Sequence, residues 1–344
     1  MKKIIAIILC ALCLFDCLAG CAGGDELKGA YTKYGLKAND VVMTINGEDV
    51  TAQEYFFVAD YCYNYFTQTY GQMQWTDVLY DEVTLLDYIT EDALQSCIYY
   101  HIFATNAADE GGVPDENDVP YINAARDQMI SDYFGDKSTF QTTLKEVYGM
   151  DEETFVNINV TVPYIYNKLF AKEYSGDFDV IADEEGLDNF IEENGYMKAA
   201  HILIKTVDDN FEPLDDATVA EKTALANELL ERAQAGEDFF ELMQEYSEDP
   251  GKETNPDGYE FDNSTSFVQE FKDGAASLEV GEIGMFESMY GYHIMLRVER
   301  DRAAIAETYC RNLFDQKIGQ WCDDAEVVTT ELYDKIDLSK MYEE

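Results

Sequence analysis

The chain has 344 residues, 47% of them hydrophobic and 27% charged, with 22 Gly and 6 Pro. This composition excludes a disordered, collagen-like or low-complexity protein and suits about two domains of ordinary size. Asp and Glu number 70 against 23 Lys and Arg, a formal net charge of −47. Such a field repels polyphosphates and excludes nucleic acid as a partner.

Residues 1–21 read MKKIIAIILCALCLFDCLAGC. Lys2 and Lys3 precede an apolar run from Ile4 to Phe15, long enough for a signal peptide and too short to span a bilayer comfortably. No other run is apolar enough to enter one, so a polytopic membrane protein is excluded. Leu18-Ala19-Gly20-Cys21 then resembles a bacterial lipobox, in which small residues fit the signal peptidase and the Cys21 thiol takes a diacylglyceryl group. Each buried CH₂ of the acyl chains contributes roughly 0.8 kcal/mol, so two or more chains anchor stably. The expected organisation is a signal peptide over 1–20, lipidation at Cys21 and a tether over 21–38. Cys10, Cys13 and Cys17 leave with the signal. Cys62, Cys97, Cys310 and Cys322 remain, none in a C-x-x-C pair, which removes support for zinc-ribbon or thioredoxin chemistry. A disulfide among them and buried free thiols are both open readings.

Val41–Glu48 reads as a strand with an Asn46-Gly47 turn. Thr51-Ala52-Gln53-Glu54 has the capping-box pattern and predicts a helix start carrying Tyr55, Phe56, Phe57, Tyr61 and Tyr65. Leu86, Ile89, Ala93, Leu94, Cys97, Ile98, His101 and Ile102 recur at helical spacing along one apolar face. Cys97 and His101 stand four residues apart, but two candidate ligands on an apolar stripe do not make a metal site, and none is expected. Further helices are predicted over 119–134, 138–148 and 152–173, and a short acidic one over 183–196. The pattern then changes. A strand over 198–205 is followed by helices over 219–233 and 239–246, a polar loop over 247–266 and a short helix over 267–277. A strand after Gly281-Glu282-Ile283 and a closing strand over 292–298 complete a β-α-α-loop-α-β-β order. A last helix is expected over 303–324, with Ala306, Cys310, Leu313, Phe314, Trp321 and Cys322 mostly on one side.

Six blocks in this region carry a resemblance. They are Ala200-His201-Ile202-Leu203-Ile204, Ala235-Gly236-Glu237-Asp238-Phe239, Tyr246-Ser247-Glu248-Asp249, Phe267-Val268-Gln269-Glu270-Phe271, Leu278–Ile283 and Tyr290-Gly291-Tyr292-His293-Ile294. In this order they resemble a parvulin-type peptidyl-prolyl cis-trans isomerase domain, and the rest of the mature chain resembles, more loosely, a PrsA/SurA-type foldase. The resemblance implies an α+β fold class. A mostly helical, SurA N-like chaperone domain over 39–196 is completed by a C-terminal helix over 301–344, and a parvulin (FKBP-like) α+β domain over 197–300 is inserted between them.

It also implies a site. His201 and His293 would lie on neighbouring strands, hydrogen-bonded to each other and setting the polarity of the cleft, and Asp249 would face the substrate carbonyl. Phe267 and Phe271 would line the prolyl pocket, with Phe261, Ser288 and Tyr290 also substrate-binding. The family's Gly-Gly-Asp-Leu-Gly stretch is here Pro256-Asp257-Gly258-Tyr259-Glu260-Phe261, and Phe stands at 267 where Met is usual. No cofactor and no metal are implied.

The chemistry suits such residues. Rotation about an amide costs about 18–20 kcal/mol because resonance is broken. X-Pro bonds populate both isomers and exchange over tens of seconds. An apolar slot that grips the Pro ring and excludes water favours the twisted state over the planar one, with no bond to protein needed. The expected protein is therefore a lipid-anchored extracytoplasmic foldase that isomerises X-Pro bonds in unfolded or nascent secreted clients. The alternative is a holdase whose parvulin domain only binds. A solute-binding lipoprotein would need two α/β lobes, which the strand-poor run 51–173 does not offer. Tyr61, Tyr65, Tyr70, Tyr80, Tyr88, Tyr99 and Tyr100 suggest an amphipathic groove for clients in the helical part.

Overall fold

The computed structural model describes residues 30–178 and 182–342, so the signal segment and Cys21 lie outside the described residues. It opens on a hairpin, β1 (Val41–Ile45) and β2 (Glu48–Thr51). Asn46 and Gly47 both have positive φ, 51° and 85°, as the tightest hairpin turn requires. Helices α1 (Ala52–Tyr70) and α2 (Leu85–Asp109) flank a small hairpin of β3 (Val78–Tyr80) and β4 (Val83–Thr84). Next come α3 (Val119–Met129), α4 (Lys137–Thr143), α5 (Glu152–Val156) and α6 (Val162–Glu173), with π-helical turns after α3, α4 and α5. Then α7 (Glu184–Asn194), β5 (Met197–Lys205), α8 (Asp216–Gln234), α9 (Phe239–Tyr246) and β6 (Tyr259–Phe261) follow. The chain closes with α10 (Gln269–Ala276), β7 (Ile283–Ser288), β8 (Gly291–Val298), α11 (Arg302–Asp323) and β9 (Val327–Thr329).

The fold is helix-rich α+β, and the chain divides into two compact units. One holds residues up to Ser175 together with those from Arg311; the other is Gly176–Cys310, inserted between them.

In the first unit β1 is the middle strand of the order β2-β1-β9, so a C-terminal strand pairs with the N-terminal hairpin. The expected capping box at Thr51 does not form: its side chain makes no cap hydrogen bond. Glu54 instead accepts from or shares a proton with His101 Nε2, 2.8 Å away on α2, a tertiary partner that replaces the local one. A capping box does form at Thr84 and Asp87, where α2 begins. Tyr61, Tyr99 and Tyr100 are buried in the helical core, whereas Tyr70 and Tyr80 are exposed, so the tyrosines do not line one groove. Cys97, Cys310 and Cys322 are free thiols, and the buried Cys62 Sγ lies 3.8 Å from Ser96 Oγ. No metal-ligating cluster occurs among the described residues, and no helix there is long and apolar enough to cross a membrane.

Asp60 is buried on α1 and accepts a hydrogen bond from Tyr342. Burial pushes its carboxyl up to about 6, with the Tyr342 bond opposing. The folded state therefore binds a proton below about pH 6, and the unfolded chain only near 3.8. Stability is gained as pH falls through 6. The expected gain is up to about 3 kcal/mol at this site. Both tryptophans, Trp75 and Trp321, belong to this unit. Urea unfolding followed by tryptophan fluorescence should thus show a larger increase in stability from pH 7 to 5 for the native chain than for Asp60→Asn. Parallel pH curves for the two would count against a buried, protonatable Asp60.

The second unit is built on a four-stranded antiparallel sheet of order β6-β5-β8-β7. Alternation along β5 sends Ala200, Ile202 and Ile204 to one face, where they form a core with Ala226 and Leu229 of α8, Leu242 and Met243 of α9, and Ile294 of β8. The opposite face carries Ala199 and Met295, packed with Phe261, Phe271 and Ala275. His201 and His293 share this second face by the same period of two. Strand β6 falls inside the stretch expected to be loop. It has three residues, and its pairing with Met197–Ala199 is set by a distant partner rather than by its own pattern.

Candidate active site

The site is assembled on the β5–β8 pair. Register places His201 opposite Met295 and Leu203 opposite His293, so the two imidazoles are diagonal neighbours on one face. Their Nδ1 atoms are 2.9 Å apart and the rings 13° from parallel. The contact bridges 92 positions of sequence.

Asp249 reaches this pair from the segment after α9. Ser247 Oγ accepts the Leu203 N–H at 3.1 Å, and the Glu248 N–H donates to the Leu203 carbonyl at 2.8 Å, which docks the segment on β5. Lys252 Nζ donates to the Ser247 carbonyl at 2.7 Å and closes the turn. Asp249 Oδ2 then lies 2.8 Å from His201 Nε2 and accepts from Tyr259 OH at 2.7 Å, while Oδ1 accepts the Gly251 N–H at 3.0 Å. At the other end Ser288 Oγ is 2.7 Å from His293 Nε2 and accepts the Tyr290 N–H at 3.1 Å.

With both rings neutral, these contacts have one consistent set of protons. Ser288 O–H donates to His293 Nε2, His293 Nδ1–H to His201 Nδ1, and His201 Nε2–H to the Asp249 carboxylate. Burial alone would raise the Asp249 carboxyl, but the bonds from His201, Tyr259 and the Gly251 amide outweigh it and hold it well below the usual carboxylate range. Burial, then the neighbouring His201, lower His293 to about 4, so it is neutral at pH 7. The unfolded chain takes up that proton below about 6.5 and the folded one only near 4, so stability is lost as pH falls between these values. This sign is opposite to that of Asp60. The chain has three histidines. In an NMR titration of the imidazole C–H signals, one is expected to stay neutral down to about pH 4. Three ordinary titrations near 6.5 would show that the imidazole pair is not buried as described.

Above this chain of bonds lies a cavity of about 320 Å³. His201, Asp249, His293, Phe267, Phe271 and Tyr290 all line it. Phe271 sets its ring edge against both imidazoles, at 5.1 Å from His201 and 5.7 Å from His293. Phe267 lies 5.3 Å from Phe271 and just precedes α10, which starts two residues later than the spacing suggested. Phe261 and Ser288 are not in the lining. Phe261 is buried behind the wall, 5.5 Å from both Phe267 and Phe271, and Ser288 is committed to His293. Gly258 permits the close approach of β6: its φ is 94°, and a Cβ there would meet the Ala199 carbonyl oxygen at 2.8 Å.

Sequence reasoning missed Tyr259, Phe211, Leu203 and Lys205, which also line the cavity. Tyr259 and Phe261 alternate around Glu260, a short strand signal that sits among turn residues. Phe211 is a lone aromatic in a polar loop, with no periodicity to mark it.

Residues 187–301 match the family model of the PPIC-type PPIASE domain, which defines the class of the inserted unit. The chain is PrsA/SurA-like. It is 29% identical over 216 residues to the foldase protein PrsA of Halalkalibacterium halodurans, covering 61% of this chain and 58% of that one. It is 26% identical over 301 residues to the foldase protein PrsA of Caldanaerobacter subterraneus subsp. tengcongensis, covering 86% and 82%. It is 30% identical over 151 residues to the chaperone SurA of Pseudomonas fluorescens, covering 41% and 33%. The chain thus spans less than two thirds of the length of two of these relatives, 58% and 33%. The crystal structure of foldase protein PrsA from Streptococcus pneumoniae aligns with a TM-score of 0.33 at 16% identity, over 77% of this chain and 98% of that one.

Proposed function

We propose that this protein is an extracytoplasmic foldase whose inserted domain catalyses cis-trans isomerisation of X-Pro bonds in unfolded secreted clients. The observation that carries this reading is the Asp249–His201–His293–Ser288 chain of hydrogen bonds running beneath an aromatic-walled cavity. The prolyl ring enters the cavity against Phe267 and Phe271, and water is displaced. The planar amide carries partial negative charge on its oxygen through resonance, and twisting removes it. A fixed carboxylate at Asp249, beside that oxygen, penalises the planar form more than the twisted one. The imidazole pair holds Asp249 in place through His201 Nε2. A rate gain of ~10⁶ would need about 8 kcal/mol of such preference. Cys21 carries the lipid anchor, and the helical unit, residues up to Ser175 and from Arg311, rather than the expected 39–196 and 301–344, holds clients.

The test is a protease-free isomerisation assay on a short X-Pro peptide with the mature, lipid-free protein. Acceleration that saturates with peptide is expected. No acceleration from folded protein, with client aggregation still suppressed, would replace this reading with that of a holdase whose isomerase domain only binds.

A further inference from the structure

Asp249 is held from three sides at once. His201 Nε2 and Tyr259 OH both bond its Oδ2, at 2.8 and 2.7 Å, and the Gly251 N–H donates to Oδ1 at 3.0 Å. A carboxylate oxygen offers about two acceptor positions, so Oδ2 is filled and Oδ1 keeps one open. All three donors are neutral. An ammonium or guanidinium in the place of the phenol would hold the carboxylate as firmly and cancel its charge. The cations nearby are engaged elsewhere or stand off. Lys252 Nζ is bonded to the Gln244 and Ser247 carbonyls at 2.9 and 2.7 Å, and Lys205, though in the cavity lining, makes no ion pair with Asp249 among the described residues.

The Tyr259 bond is built into the fold. Tyr259 pairs with Ala199 on the β6–β5 ladder, and its ring packs edge-on against Phe267 and His201 with centroids 5.4 and 5.7 Å apart. At Gly251, two residues beyond Asp249, a Cβ would overlap the Tyr259 hydroxyl oxygen, so the phenol reaches the carboxylate only because that position carries no side chain. Burial, then the Asp249 bond, push the phenol above the ordinary tyrosine range, which keeps it a donor at neutral pH. A half-buried hydroxyl that needed only a partner could take water. This one is spent on the one carboxylate in the cavity lining among the described residues.

Resting on the isomerase reading above, we propose that Tyr259 is a positioning residue for the isomerisation: by filling Asp249 Oδ2 its phenol stops the carboxylate from turning and leaves Oδ1 to face the amide oxygen of the substrate. The charge on Asp249 separates planar from twisted amide only from a fixed place. A carboxylate free to rotate about its Cβ–Cγ bond turns away from that oxygen and loses the preference. The hydroxyl therefore acts on turnover, whereas the ring, as part of the cavity wall, acts on binding.

The experiment uses the mature, lipid-free chain and one short X-Pro peptide. Tyr259→Phe keeps the ring and the strand pairing. It is expected to lower kcat about tenfold with KM within about twofold of native. In an Asp249→Ala background the same substitution is expected to change kcat by less than about twofold, because the group it positions is gone. Gly251→Ala displaces the hydroxyl while leaving Tyr259 in the chain, and is expected to lower kcat by a similar factor. Circular dichroism establishes that each variant is folded at the assay temperature. A folded Tyr259→Phe variant with native kcat overturns the proposal. So does a loss seen in KM alone, or a tenfold loss of kcat that persists without Asp249. Absence of acceleration by the native protein instead overturns the isomerase reading itself.

Discussion

Phe271→Ala is expected to lower kcat/KM on a short X-Pro peptide by about 100-fold, corresponding to about 2.7 kcal/mol of lost transition-state preference. The ring is 5% exposed and touches four other rings: His201, His293, Phe261 and Phe267. Its removal opens the wall that is to grip the prolyl ring, and it admits water to the imidazole pair. The same truncation leaves a core cavity, which typically costs about 3–5 kcal/mol of stability. The two effects are separable. Activity is measured at a temperature where circular dichroism shows the variant folded, and Phe261→Ala serves as a comparison that damages the same core from behind the wall. Phe271→Ala that folds and keeps native activity would remove the aromatic wall from the proposed mechanism.

His293→Ala is the second large effect. It deletes both the 2.9 Å contact to His201 Nδ1 and the 2.7 Å contact to Ser288 Oγ. His201 Nδ1 is left buried without a partner, at about 1–3 kcal/mol, while Ser288 Oγ keeps the Tyr290 N–H. His201 then loses the bond that fixes its tautomer and its hold on Asp249, and kcat is expected to fall about 100-fold, in the range typical of a lost positioned polar group. His101 is the control. It lies in the other unit, bonded to Glu54, and His101→Ala should change isomerase activity by less than about twofold, as for a substitution far from the chemistry. Equal losses in His293→Ala and His101→Ala, both traced to unfolding, would leave the imidazole pair a structural role only.

Much of the fold was legible in the sequence because the signals were local. Asn46-Gly47 could close only a tight hairpin, and the apolar stripe from Leu86 to Ile102 marked α2, which extends to Asp109. The run over 198–205 read as a strand, and the structure puts Ala200, Ile202 and Ile204 in the core while His201 and Leu203 line the cavity. The signals that misled were local patterns with distant competitors. Glu54 had the spacing to cap α1 but met His101 instead, and Tyr61, Tyr99 and Tyr100 went into the core while Tyr70 stayed exposed. Strands β6 and β9, of three residues each, have too few positions for a period to appear. Their conformation comes from the strands they pair with.

The sequence alone determined which residue types face which side of each element, since side-chain direction follows from a backbone period of two or 3.6 residues. Tertiary structure decided which of those residues meet. Register across 92 positions set His201 beside His293, and the docking of Ser247 on β5 brought Asp249 to His201. The β6 pairing brought Tyr259 to Asp249, withdrew Phe261 from the cavity and placed it behind the wall. A hydrogen bond is made or lost within about half an ångström, and no local pattern carries a distance of that precision between segments joined only through the folded sheet.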